Sequence, residues 1–348
     1  MVKSSRIFQT KDSILAAIRA IIYGIGKVNL LAARLMTEKG VEIVGAVNRP
    51  GPKVGRDLGE LAGMDESLGV IVSDQPEEVL SMSADIVLVG IYDDMKRMMP
   101  MFQRCLEHGH NVLSVGAHHS YPWRMSPQFT EELDTLARMH DVTISASGNQ
   151  DFFIVNLGSM MSGVCHRIES LTFRSLTDVN AFGPEVAVVA GVGRASTDFD
   201  ANAINQSPSI YTTFMEGVAA DLELSVCDVT QTVEAVTCEQ PLHCLSLNRT
   251  VQPGQLTGTV QHLTLTTREG ISIHAEAALR IRIPEEDEFK EWVVKGEPSY
   301  TIRATELDSG FTTASQCVNR LAHIVEAPPG YVTLEKLPKL TFRSKLHK

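Results

Sequence analysis

The chain has 348 residues, 43% of them hydrophobic, which suffices for a substantial core at a length most naturally divided between two domains. Its formal charge of -11, with no clustered basic stripe, argues against a nucleic-acid surface. No apolar run approaches a membrane span, and Lys11 and Asp12 interrupt the start before a signal-peptide core can form, so a cytoplasmic protein is the expectation.

The first informative run is Ile21-Ile22-Tyr23-Gly24-Ile25-Gly26-Lys27-Val28-Asn29, a short apolar strand that passes through two glycines into a helix. In a dinucleotide fingerprint the first glycine permits the tight turn. The second lets the backbone approach a pyrophosphate at the positive end of the following helix. Val28, Leu31, Ala32 and Leu35 continue at helical spacing. Asn29 stands where the fingerprint usually has its third small residue. The helix ends near Gly40 and Val41 to Val47 form a second strand, completing a β-α-β unit of about thirty residues.

That strand ends in Asn48-Arg49, with Lys53 close behind, where a carboxylate would repel a 2′-phosphate. An amide and a guanidinium bind such a phosphate with charge-assisted hydrogen bonds, so NADP is expected, with NAD possible. The alternative is that Arg49 and Lys53 are solvated loop charges.

Further along, Gly69 to Val72 is a short strand candidate, Pro76 to Leu80 a helical turn with acidic residues at its start, and Asp85 to Gly90 a buried strand. A helix over Met95 to Glu107, a strand over His110 to Gly116, a helix over Pro127 to His140 and a strand over Val142 to Ala146 follow. This alternation implies a parallel, doubly wound sheet of the Rossmann kind. Ligands bind beyond the carboxyl ends of such strands, so Gly24 to Asn29, Asn48 to Lys53, Gly90 to Asp93 and Gly116 to Tyr121 should meet in one crevice. The expected cofactor contacts are Gly24, Gly26, Lys27, Val28, Asn29, Asn48, Arg49, Lys53, Gly90 and Gly116.

Hydride transfer to a carbonyl or imine needs a proton donor at the reacting atom. His118 at the sheet's ligand edge is the first candidate, because an imidazole titrates near neutral pH, and Tyr121 is the second. The plainer alternative is that both only shape the pocket. His119 and the junction residues Asn149, Gln150 and Asp151 are candidates for substrate contact, although Asn and Asp are equally ordinary turn and cap residues. His108 and His110 precede a strand that His118 and His119 follow, and adjacent residues of an extended chain face opposite ways, so no metal site is expected. The six cysteines include no C-x-x-C pair, which removes a zinc ribbon or redox dithiol, and most read as small core residues.

From about residue 165 the pattern turns strand-rich, with Leu171-Thr172-Phe173 and a hairpin centred on Arg268-Glu269-Gly270. In its second arm Ile271, Ile273, Ala275, Ala277, Leu279, Ile281 and Ile283 alternate with mainly polar residues, a half-buried antiparallel strand whose apolar face needs helices or a second subunit against it. Gly191-Val192-Gly193-Arg194 imitates a phosphate fingerprint without a surrounding β-α-β unit and reads as a loop, Arg194 being a further candidate for substrate contact. The tail returns to helix, with Ala314, Val318, Leu321, Ala322 and Val325 on one stripe and Pro328-Pro329-Gly330 ending it.

Several segments together make the chain resemble a known family. They are the first β-α-β unit followed by Lys53-Val54-Gly55-Arg56-Asp57, Asn111 to Val115 leading to Tyr121-Pro122, the Gly148-Asn149 turn, and Asn319 through Ala327-Pro328-Pro329-Gly330. The sequence resembles the 2,4-diaminopentanoate dehydrogenase and native amine dehydrogenase group, relatives of dihydrodipicolinate reductase. The resemblance implies NAD(P)-dependent interconversion of an amine with an imine or ketone, and a homodimer formed through the sheet of an α+β domain. It also implies a pair of glutamates before the Tyr-Pro pair, where this chain has Ala117 and His118. An alcohol or ketone dehydrogenase without amine activity, or a non-catalytic dinucleotide sensor, stays open.

The expected fold is therefore α/β, a Rossmann doubly wound parallel sheet joined to an α+β domain with a largely antiparallel sheet. The expected boundaries are 1–147 for dinucleotide binding, 148–310 for substrate and dimerisation, and 311–348 for a helix and tail packing back on the first domain.

Overall fold

The computed structural model describes residues 16–201 and 208–348. Seven strands form a first sheet: β1 (Arg19–Tyr23), β2 (Glu42–Val47), β3 (Val72–Ser73), β4 (Ile86–Val89), β5 (Asn111–Ser114), β6 (Thr143–Ala146) and β15 (Gly330–Tyr331). Their order is β15-β6-β5-β4-β1-β2-β3, and every neighbouring pair is parallel. All four residues of β4 are buried, as a strand covered by helices on both faces requires.

The two-residue period decides which core each side chain enters. Ile22 and Leu88 pack with Ala32 and Met36 of α1 (Lys27–Glu38) and Val318 and Leu321 of α9 (Ser309–Val325). Ile21 and Val87 point the other way, toward Met98 and Phe102 of α4 (Met95–Glu107) and Leu133 of α5 (Pro127–Met139). The short helices α2 (Leu58–Leu61) and α3 (Pro76–Leu80) complete these layers.

Within this first sheet two strands differ from the sequence expectation. The strand expected over Gly69 to Val72 shrinks to Val72 and Ser73, with Gly69 in a left-handed turn at φ 70°. The chain also returns after α9 to add β15 beside β6, pairing Gly330 with Thr143 and Tyr331 with Ile144. Two residues are too few to show a period.

The second sheet runs in the order β14-β13-β7-β12-β11-β8. Its strands are β7 (Arg167–Asp178), β8 (Val226–Thr237), β11 (Leu256–Thr267), β12 (Ser272–Arg280), β13 (Phe289–Glu297) and β14 (Tyr300–Ala304). Only the β7–β12 pair is parallel. A small hairpin of β9 (Leu242–Cys244) and β10 (Arg249–Val251) lies apart from it. The β11–β12 hairpin turns at Gly270 (φ 82°), and Ile273, Ala275, Ala277 and Leu279 are all buried.

What covers that apolar face is a helix absent from the sequence reading, α8 (Ile210–Asp221), with Met215 and Val218 packed against Ile273 and Ala277. Every residue from Tyr211 to Ala219 is buried, as expected of a helix apolar on nearly all sides. The covering partner is thus the chain itself. The outer face of the same sheet is charged, with Arg174 3.6 Å from Glu276 and 3.4 Å from Glu291.

After β6 a π-helical segment, Gln150–Asn156, leads into α6 (Leu157–Ser162). A Cβ on Gly158 would stand 2.5 Å from the Trp292 ring, so only glycine admits the indole there. The remaining helix, α7 (Pro184–Val189), precedes Gly191 to Arg194, which form the loop expected of them. The thiols of Cys105, Cys244 and Cys317 are buried, those of Cys165 and Cys238 partly so, and Cys227 is exposed. Among the described residues no helix is long and apolar enough to cross a membrane.

Candidate active site

The four segments expected at the carboxyl edge of the parallel sheet meet through direct contacts. Gly24 adopts φ 93°, and a Cβ there would come within 2.4 Å of the Gly90 carbonyl oxygen, so β1 and β4 approach as only glycine allows. Asn48 Oδ1 accepts the Ile25 amide hydrogen at 3.2 Å, and Lys53 Nζ donates to the Ile25 carbonyl at 2.5 Å, tying the end of β2 to the glycine turn. Asp93 Oδ1 in turn accepts the His118 amide hydrogen at 3.0 Å, joining the loop after β4 to that after β5.

The start of α1 suits an anion. Its N-cap, Gly26, is exposed and brings no side-chain cap, the first turn carries no acidic residue, and a Cβ on Gly26 would meet nothing within 4 Å. The positive end of a twelve-residue helix therefore faces open space, as a pyrophosphate requires. Lys27 is exposed beside it and donates through Nζ to the Asn180 carbonyl at 2.8 Å, bridging to the end of β7, whereas Val28 packs its side chain against the α1–α9 core. Arg49 is exposed just beyond β2, and among the described residues its guanidinium has no partner.

Two residues assigned to the cofactor serve the turn instead. Asn29 is 2% exposed, and its amide donates to the Gly24 and Tyr23 carbonyls at 2.8 and 3.3 Å. A Cβ on Gly90 would lie 2.7 Å from Asn29 Oδ1, so a side chain takes up the close packing that the missing third glycine would have given. Lys53 is spent on the Ile25 carbonyl, which among the described residues leaves Arg49 as a free cation at this edge.

His118 and His119 part company within one turn of 3₁₀ helix, Ala117–His119. His118 is partly exposed, with Nδ1 3.2 Å from the Asp93 carbonyl and 3.3 Å from its carboxylate. A hydrogen on Nδ1 satisfies both acceptors and leaves Nε2 as the free nitrogen. His119 is fully buried: Nδ1 lies 2.7 Å from Ser114 Oγ, the ring stands edge-on to Phe102, and burial pushes its pKa down to about 4. It packs as a core residue, with Nε2 buried and without a partner among the described residues. A Cβ on Gly116 would strike His119 Nδ1 at 2.4 Å, which explains the glycine between strand and helix.

At the junction, Asp151 is likewise fully buried, forming a bidentate ion pair with Arg320 of α9 at 2.5 and 2.8 Å. Asn149 accepts from Thr312 Oγ1 at 2.6 Å and donates to the Ser309 carbonyl at 3.2 Å. Both therefore anchor α9. Gln150 is 4% exposed, and its Nε2 has no partner among the described residues. Arg194 gives its carbonyl to the Leu256 amide at 2.9 Å. His108 and His110 cap main-chain carbonyls at the far ends of α4 and β5, and among the described residues no three His, Cys, Asp or Glu side chains gather as metal ligands.

Tyr121 feels the charges of two glutamates that are not among the residues expected at the site. Burial raises its phenol pKa first, and the charges of Glu335 and Glu216 raise it further. Glu216, on α8, is 5% exposed, and burial pushes its pKa up to about 7 against the opposing pull of Arg124, whose Nε is 3.2 Å from Oε1. The signal for it was a single carboxyl within the apolar run Phe214-Met215-Glu216-Gly217-Val218.

Comparison with known proteins bears on this arrangement. The model of the 2,4-diaminopentanoate dehydrogenase C-terminal domain matches residues 151–344, and that of the dihydrodipicolinate reductase N-terminus matches residues 18–114. The chain is 24% identical over 340 residues to a 2,4-diaminopentanoate dehydrogenase of Acetoanaerobium sticklandii, covering 92% of this chain and 93% of the relative. The solved structure of an amine dehydrogenase from Mycobacterium smegmatis superposes with a TM-score of 0.91 at 33% identity, over 94% of this chain and 98% of that one. A biliverdin reductase from Synechocystis sp., solved with biliverdin and NADP+, shares the fold at a TM-score of 0.53 and 12% identity, over 92% and 94% of the two chains.

Proposed function

We propose, from the premise that this chain belongs to the 2,4-diaminopentanoate dehydrogenase family and is an NAD(P)-dependent oxidoreductase, that it interconverts a primary amine with the imine or ketone of a small organic molecule and prefers NADP. The observation that carries the amine reading is the near-complete superposition on an amine dehydrogenase at 33% identity. For the phosphorylated cofactor the support is Arg49, exposed and unpaired at the end of β2 with no carboxylate beside it.

A bound nicotinamide supplies or accepts the hydride. The chain's residues then have three tasks. Gly24, Gly26 and the first turn of α1 seat the pyrophosphate, with Asn29, Asn48 and Lys53 holding that turn rigid from below. Gly90 and Gly116 admit the side chains of Asn29 and His119, which a Cβ at either position would strike. His118, oriented through Nδ1 by Asp93, offers Nε2 for proton exchange with the reacting centre.

A second reading, ketone or alcohol reduction, is favoured by Ala117 and His118 standing where the family resemblance implies glutamates. NADPH oxidation with a panel of ketones, with and without ammonia and repeated with NADH, separates the two. Amine formed only with ammonia supports the first reading; reduction indifferent to ammonia supports the second. Cofactor binding without turnover on any member of the panel makes the chain a sensor. The proposal extends to a homodimer through the charged outer face of the second sheet, checked by sedimentation at high and low salt.

A further inference from the structure

Carboxylates are almost never fully buried unless paired, and Glu216 is only half paired. Arg124 engages Oε1 from a half-exposed position, whereas Oε2 is buried with no partner among the described residues. A buried acceptor left without a donor is destabilising, the more so when it is charged. Glutamine or leucine would serve α8 better if packing were the only demand.

The surroundings are specific. Thr213, one turn earlier on α8, donates to the Ala117 carbonyl at 3.3 Å, so this face of the helix abuts the segment leaving β5 at the ligand edge. Gly217 follows Glu216, and a Cβ there would stand in ordinary contact with Tyr121 Cβ at 3.9 Å, which places Tyr121 along this face of the helix. The ionisable groups packed about this point are Arg124 from the segment before α5, Tyr121 after β5, and Glu335 from the turn after β15. One turn further along α8, Asp221 is occupied by Lys339.

We propose that the free carboxyl oxygen of Glu216 binds ammonium and carries its proton during formation of the imine. This deepens the amine reading above and rests on it. Ammonium loses one proton to the Glu216 carboxylate, and the ammonia so formed adds to the carbonyl carbon, making the C–N bond of a carbinolamine. The same proton then passes to the carbinolamine hydroxyl, whose C–O bond breaks to release water as the C=N bond forms. No electron is gained or lost in these steps, and Glu216 ends as it began. Arg124 holds the other oxygen in place, and a carboxyl that titrates near 7 gives and takes a proton at neutral pH without a large penalty. Tyr121 acts as a positioning residue.

The test uses Glu216→Gln, of the same shape but unable to titrate, with Glu216→Asp and Tyr121→Phe beside it, all checked for wild-type melting. In reductive amination, Glu216→Gln should lower kcat/KM for ammonium by about 100-fold and flatten the limb of the pH profile near 7, with NADPH affinity unchanged. Glu216→Asp should recover part of the loss, and Tyr121→Phe should raise KM for ammonium more than it lowers kcat. Binding is read separately, by isothermal titration of methylammonium chloride into the NADPH complex, with tetramethylammonium, which has no N–H, as control. Saturable methylammonium binding that Glu216→Gln abolishes supports the site even if no ketone in the panel is aminated, in which case the functional reading alone fails. Methylammonium binding that is absent in the wild type, or unchanged in Glu216→Gln, overturns the proposal.

Discussion

Replacing His119 with phenylalanine should remove much of an acid-induced loss of stability that the unaltered chain shows below pH 6.5. Burial is the main reason its pKa falls from 6.5 to about 4, Asp93 opposing and His118 adding to the shift. The unfolded chain therefore takes up this proton first as pH falls. The contribution is fully present above pH 6.5, declines as the pH is lowered, and is lost by about pH 4. At about 1.4 kcal/mol for each tenfold difference in proton affinity, the loss approaches ~3 kcal/mol in full and ~2 kcal/mol between pH 7.5 and 5. Phenylalanine keeps the aromatic edge against Phe102 but leaves Ser114 Oγ without its imidazole partner, so the variant starts from a lower baseline at pH 7.5. The informative quantity is the difference of differences, from urea unfolding of both proteins at pH 7.5 and 5.0. Burial also pushes His323 down to about 4, but that residue is common to both proteins and cancels. Stability that falls by the same amount in both would show that His119 does not titrate as a buried base, and the assignment of this side chain to the core would fail with it.

Asp151→Asn should cost about 3–5 kcal/mol in chemical denaturation, because it leaves Arg320 charged and unpaired where both side chains are wholly buried; a loss below about 1 kcal/mol would refute this. Arg49→Ala should weaken NADPH by at least about tenfold in a fluorescence titration while leaving NADH nearly unaffected, the difference being one charge-assisted contact with the 2′-phosphate. Equal weakening of both would remove Arg49 from cofactor selection. His118→Ala should abolish turnover with cofactor affinity nearly intact, and wild-type rates in that variant would take His118 out of the reaction.

Much of the fold was legible wherever a regular period ran long enough. The alternation of β12 and the helical stripes of α1, α4 and α9 lie in the structure where their apolar residues place them. Of what escaped notice, β15 is too short to have a period and α8 is apolar on nearly every side. A stretch such as Tyr211 to Ala219 carries no amphipathic signal because both of its faces are covered. Its burial follows from a sandwich between the second sheet and the edge of the first, a relation between segments that no local window contains.

The site divides along the same line. The glycines of the crevice were readable because φ 93° at Gly24 and the open start of α1 are local backbone demands. His118 and His119 were not separable from their neighbours' identities, since a single turn of 3₁₀ helix sends one to solvent and the other beneath Phe102. Asp151 looked like a junction residue facing a substrate, yet its partner Arg320 lies 169 positions away and closes over it. Glu216 is the converse. It is an acid that local sequence would assign to a helix surface, carried by α8 into contact with the segment that follows β5. Asn149 and Asp151, given to a substrate on sequence grounds, are tied to α9, and the unsatisfied carboxyl of Glu216 is the one whose burial packing alone does not explain. On the amine proposal it is therefore the charge state of Glu216, more than the missing glutamates of the strand edge, that the use of ammonia would turn on.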